Sequence, residues 1–130
     1  MNSKKIVPAI LISVIVFMFW FLHHDFGENL LTSTSPDGKY KIEVNSIDGF
    51  YVTYGVKIYV ENLTSKHSSK ELLLEYHIAQ DLRTIVKDDI SFTWDGEQGH
   101  LTVNGEVETA NIVIGLNTKT NKFYYKANES

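Results

Sequence analysis

The sequence predicts a mainly β protein: one N-terminal transmembrane helix, then a small antiparallel β domain built as a sandwich or a strongly twisted sheet, with a short helix as a candidate insertion. Two observations carry this. Seventeen residues from Ile6 to Leu22 hold no charge and follow Lys4 and Lys5. Beyond Ser35 the apolar residues recur mostly at every second position, the period of strands with one buried face.

A helix over Ile6 to Leu22 measures about 25 Å against a hydrocarbon core of about 30 Å. It is therefore a short span. A cleaved signal peptide is the competing reading, since it also combines a basic start with an apolar run. Signal segments are usually shorter and end in small residues, whereas Phe17 to His24 is bulky throughout and contains no A-x-A-like site. Trp20, between Phe19 and Phe21 at the far end of the run, suits the headgroup level. The chain has no cysteine, which excludes anchoring through a lipidated or palmitoylated thiol. Lys4, Lys5 and the amino terminus put the short tail in the cytoplasm by the positive-inside bias, so the rest faces outward.

The expected organisation is an anchor over 1–24, a short polar connector over 25–34 and an extracytoplasmic β domain over 35–130. The last is long enough for one modest core. With Lys4 and Lys5 set aside, ten basic residues stand against sixteen acidic ones, a formal charge of −6. That balance disfavours nucleic acid as a partner and tight adhesion to anionic lipid or wall polymer. An exported domain without cysteine must be stable without disulfides, which fits a bacterial surface. Asn62-Leu63-Thr64 and Asn128-Glu129-Ser130 match the glycosylation pattern, which carries meaning only in a host that glycosylates them.

Within the β domain, Ser35-Pro36-Asp37-Gly38 is a turn: proline pre-sets φ, aspartate bonds the following backbone and glycine accepts positive φ. Tyr40, Ile42 and Val44 alternate with polar residues. Phe50, Val52, Tyr54, Val56, Ile58 and Val60 keep one parity over eleven residues, and Asp48-Gly49 between these runs suits a hairpin turn. Leu72, Leu74, Tyr76 and Ile78 form a third run, and Ile90, Phe92 and Trp94 a fourth, with Trp94 expected in the core. Leu101 and Val103 lead into Asn104-Gly105, expected as a type I′ turn with the return strand starting at Glu106 and Val107. Ile112 with Ile114, then Phe123 to Tyr125, complete the apolar runs. Ile78, Leu82, Ile85 and Val86 fit one face of a short helix over 78–87, although Leu82, Thr84, Val86, Asp88 and Ile90 also extend the next strand backwards.

The order of these features resembles a family of short uncharacterised single-pass membrane proteins of Gram-positive bacteria. The residues that carry the resemblance are Ser35 to Tyr40 as the strand entry, then Trp94, then Asn104 with Gly105. It covers about two thirds of the chain, excluding 82–89 and the tail after Asn111. The resemblance implies a membrane location and a β fold; it implies no activity.

No catalytic signature is present. There is no G-x-S-x-G elbow, and without cysteine there is no thiol nucleophile. His23, His24, His67, His77 and His100 lack metal-ligand spacing. Asp88, Asp89, Asp95 and Glu97 are the densest acidic stretch but do not form an EF-hand loop. The expectation is thus no metal, no cofactor and no enzyme activity. The side chains with binding character are Tyr51, Tyr59 and Lys57. The two tyrosines lie on the parity opposite to Val52 to Val60, which places them either on an outer contact face with Lys57 and Glu61 or on a second buried face. The leading expectation is a non-catalytic binding or accessory envelope protein, of a regulatory or immunity type, whose partner is another envelope protein or a wall component. The alternatives are a small envelope hydrolase or metal-dependent enzyme using the scattered His and Asp residues, and a structural spacer.

Overall fold

The computed structural model describes residues 3–23, 27–48, 55–78 and 84–129. One helix, α1 (Ser3–His23), precedes eight strands: β1 (Asn29–Thr34), β2 (Tyr40–Ile47), β3 (Gly55–Asn62), β4 (Glu71–His77), β5 (Ile90–Asp95), β6 (Gln98–Asn104), β7 (Thr109–Asn117) and β8 (Lys122–Glu129). The strands form two antiparallel four-stranded sheets, β1-β2-β3-β4 and β5-β6-β7-β8, each a simple meander. The expected antiparallel β architecture is present as two sheets sharing one core.

Alternation explains the core. Tyr40, Ile42 and Val44 of β2, Val56, Ile58 and Val60 of β3, Leu101 and Val103 of β6, and Ala110, Ile112 and Ile114 of β7 are all buried in one cluster. The facing strands approach closely at Gly99, where an added Cβ would stand 2.9 Å from Ile42 Cδ1 and 2.8 Å from the Phe92 ring. Ile78 and Ile85, on the stretch that carries the chain from one sheet to the other, join the same cluster.

Four details differ from the sequence reading. Residues 25–34, expected as a connector, contain β1, whose Leu30 is an extra residue in the register with β2 and is buried in the core. The β3–β4 pairing shifts between Ile58 and Tyr59, which pair with Leu74 and Leu72. The extra residue, Leu73, packs against the core, and Leu72 is displaced to the outer side at 49 % exposure. Third, Asn104-Gly105 is not a two-residue turn: Asn104 pairs with Thr109, Gly105 N–H donates to Glu108 at 2.9 Å, and Val107 is 70 % exposed. The tight hairpin is instead Asp95 to Gln98, with Gly96 at φ +60°, the first central position where a glycine is favoured in a type II′ turn. Fourth, Trp94 points inward but is only half-buried.

Gly49 of the expected Asp48-Gly49 hairpin and the first half of the Phe50 to Val60 strand fall on 49–54, outside the described residues. The candidate helix over 78–87 falls partly on 79–83, also outside them. Among the described residues of that stretch there is no α-helix, only a single 3₁₀ turn at Lys87–Asp89, where the Asp89 carboxylate accepts the Val86 N–H at 2.8 Å.

The Ser35 turn forms as its residues require. Ser35 Oγ donates to Asp37 Oδ1 at 2.6 Å and accepts the N–H groups of Lys39 and Tyr40, both at 3.1 Å. Gly38 takes φ +73°. The Ser35 hydroxyl and the Lys39 backbone N–H hold the Asp37 carboxyl below its ordinary range. A depressed carboxylate contributes stability that is present above its unfolded pKa and is lost as pH falls through the folded value. Asp37→Asn is therefore expected to reduce the acid sensitivity of the thermal midpoint below about pH 4, read by circular dichroism across an acid titration.

Beside this turn lies an aromatic cluster. Tyr40 contacts Trp94 and Phe123 edge-on, each at 5.5 Å between centroids, and Phe92 contacts Trp94 at 5.1 Å. The Trp94 Nε1–H donates to Ser33 Oγ at 2.9 Å, tying β5 to β1 across the sandwich. Ser33→Ala should cost about 1 kcal/mol, because the half-buried indole N–H loses its acceptor. Urea denaturation compared with the parent chain measures this directly.

Among the described residues no helix is long and apolar enough to cross a membrane. The backbone of α1 is helical for 21 residues, about 31 Å. Its large side chains are exposed on every side, from Phe21 at 39 % to Val7 at 67 %. Among the described residues none of α1 belongs to the core cluster.

Candidate binding face

The outer face of the first sheet is built by the residues that alternate with the core. β2 contributes Lys41, Glu43 and Asn45; β3 contributes Lys57, Tyr59 and Glu61; β4 contributes Leu72 and Glu75. Register sets their neighbours: Lys41 faces Glu61, Glu43 faces Tyr59, and Lys57 lies between Asn45 and Glu75. Opposite charges thus sit beside one another across the strands, an arrangement worth a few tenths of a kcal/mol per pair.

Lys70, from the loop before β4, closes this face. Its Nζ stands 2.9 Å from Glu43 Oε2 and 4.8 Å from the centre of the Tyr59 ring. The Glu43 carboxylate beside it, with a smaller contribution from Tyr59 and Glu61, raises the Lys70 pKa. Glu43 Oε2 is shielded from solvent, and the Lys70 ammonium, at hydrogen-bond distance, is the group that compensates its charge. Lys41 Nζ lies 3.7 Å from Glu61 Oε2; an exposed pair of this kind adds little stability.

Tyr59 and Lys57 therefore share one outward face, and Tyr59 is half-buried beneath Lys70 rather than packed in a second core. Tyr51 lies outside the described residues. Lys70 and Glu43 were not singled out from sequence. Glu43 was legible in principle from its parity with Lys41, while Lys70 reaches the face only through the conformation of the 63–70 loop.

The other chemistry-bearing residues are dispersed. His77 Nε2 pairs loosely with Glu75 at 3.6 Å, and His100 Nε2 with Asp95 at 3.8 Å. Asp88 and Asp89 are separated from Asp95 and Glu97 by the length of β5, about 20 Å. Among the described residues no group of three His, Cys, Asp or Glu side chains is placed to hold a metal ion. A cleft of about 480 Å³ lies among Glu28, Leu30, Ser46, Asp48 and Thr84 to Lys87. Its backbone and hydroxyl groups already satisfy one another: Glu28 N–H donates to Ser46 Oγ and Ser46 N–H to Glu28 O, both at 2.8 Å.

The chain matches no protein-family model, no curated protein and no solved structure. Function is therefore argued from its own residues.

Proposed function

We propose that the chain is a membrane-anchored extracytoplasmic β-sandwich that acts by binding another envelope protein or a wall component, without catalysis and without a cofactor. The observation that carries the anchor is α1 itself. A helix apolar on all sides satisfies no amphipathic role on a sandwich whose core is already filled, and its natural surroundings are hydrocarbon. The described side chains from Ile6 to Leu22 fall short of the bilayer core in length. A span this short is accommodated by local thinning of the bilayer, with Lys4 near one end where a long cationic side chain extends to the interface. The basic start orients the N-terminus to the cytoplasm and the sandwich to the outside. The resemblance at Ser35 to Tyr40, Trp94, and Asn104 with Gly105 to short single-pass membrane proteins of Gram-positive bacteria is in keeping with the same location.

Binding is supported by the face of Tyr59, Lys57, Lys70 and Glu43. It combines an aromatic ring with closely spaced charges of both signs, the chemistry of a polar protein contact. The net negative charge weighs against nucleic acid. Photo-crosslinking in intact cells, followed by identification of what co-purifies, tests this. Lys57→Glu is expected to change stability by under about 0.5 kcal/mol while lowering partner recovery by about tenfold, the effect of roughly 1.4 kcal/mol at an interface. Unchanged recovery would remove this face as the contact.

A further inference from the structure

We propose that the free edge of β8 pairs antiparallel with β8 of a second copy of this chain, joining the second sheets of two molecules into one continuous sheet. Among the described residues no strand pairs with the outer edge of β8. An unpaired edge presents a row of N–H and C=O groups, and proteins usually blunt it. The edges of the first sheet are blunted by register shifts, at Leu30 in β1 and at Leu73 in β4. β8 pairs with β7 without interruption over eight residues, Lys122 to Glu129.

The side chains of β8 are unusual for an open edge. Tyr125 and Ala127 stand in the inward row, opposite Ile114 and Ile112, which are fully buried. Yet Tyr125 is 47 % exposed and Ala127 is exposed too. Beyond Phe123 the inward row of β8 thus forms an apolar ledge that β4, the strand of the first sheet nearest to it, covers only in part. On the outer row Tyr124 is 42 % exposed, held by the Gln98 amide, which donates to its hydroxyl at 2.8 Å.

A second β8 complements this edge, and among the registers that keep the longest overlap charge favours one. In a two-fold pairing that keeps both sheets' inner rows on one side, residues facing each other must share parity. Placing Tyr125 opposite Tyr125 of the second copy sets Phe123 against Ala127, Tyr124 against Lys126 and Lys122 against Asn128. The apolar residues meet on the inner row, and each Lys126 lies over a Tyr124 ring on the outer row, an attractive contact. A two-residue shift one way sets Lys126 against Lys126; the other way sets Lys122 against Lys126. Both put like charges directly opposite, which is destabilising.

The absence of native cysteine makes the test specific. In the full chain in mild detergent, Tyr125→Cys is expected to form a disulfide-linked dimer with an added oxidant, since facing residues lie within reach of a disulfide. Lys126→Cys, whose copies sit two residues out of register and roughly 8 Å apart, should form at least about tenfold less. Equal crosslinking at both positions would mean random collision and would overturn the pairing. No Tyr125→Cys dimer, with the thiol still reactive to maleimide, would also overturn it and leave the edge to a strand of another protein. Sedimentation without any cysteine gives a second reading. The parent chain should show dimer and Tyr125→Lys monomer, and a parent chain that stays monomeric as its concentration rises contradicts the proposal.

Discussion

Tyr40→Ala is expected to remove a large share of the folding stability, about 3–5 kcal/mol. Tyr40 is 1 % exposed and is the largest side chain fully buried in the core. It packs against Trp94 and Phe123, and its hydroxyl donates to the carbonyl oxygen of Glu97, with Ile114 O further away at 3.4 Å. Burial drives the phenol pKa far above its ordinary value, so the group stays a neutral donor at every physiological pH. Removing a buried aromatic side chain costs about 3–5 kcal/mol, and a domain of this size has only about 5–15 kcal/mol in total. Tyr40→Phe keeps the ring and loses only the hydroxyl, leaving the Glu97 carbonyl without this donor; about 1 kcal/mol is expected. Urea unfolding followed by circular dichroism separates the two. Equal losses would mean that the hydroxyl, and not the ring packing between the sheets, holds this end of the sandwich.

The second large effect concerns α1. Leu11 and Val14 lie near the middle of the apolar run and are exposed. An aspartate at the centre of a membrane helix costs about 2.5–3.5 kcal/mol on an insertion scale, so Leu11→Asp with Val14→Asp should shift the partition by about 5–7 kcal/mol if the costs add. The double variant should leave the membrane fraction, while the strand signal in circular dichroism persists because the core excludes α1. Retention of the variant on membranes after alkaline extraction would show that α1 is not what holds the chain there.

How much of this was legible depended on whether alternation survived. Tyr40 to Val44, Val56 to Val60, Ile90 to Trp94, Leu101 with Val103 and Ile112 with Ile114 each keep one parity, and in each the apolar set faces inward as period two requires. β1 was missed because Leu30 and Leu31 are adjacent and the register shift between them breaks the pattern. The same device at Leu73 sent Leu72 outward and hid the true face of β4. Turn chemistry misled at Asn104-Gly105, where a favourable dipeptide sits in a four-residue loop, while Gly96 supplied the positive φ that closes a hairpin. Phe123 to Tyr125, three aromatics in a row, carry no alternation, and which of them faces the core depends on tertiary placement. On the candidate face, parity was enough for Lys57 and Tyr59. The capping ammonium of Lys70 depends on a loop path that no local pattern encodes.

The location of the sandwich is the claim on which the rest turns, and the cysteine-free sequence gives it a direct measurement. A single cysteine at Thr118, an exposed position in the β7–β8 turn, is offered to a membrane-impermeant maleimide in intact cells, with a cysteine at Ser3 as the inner control. The account predicts labelling of Thr118→Cys before lysis and of Ser3→Cys only after it, with both proteins in the membrane fraction. Labelling of Thr118→Cys only after lysis, or recovery of the chain from the soluble fraction, would contradict it.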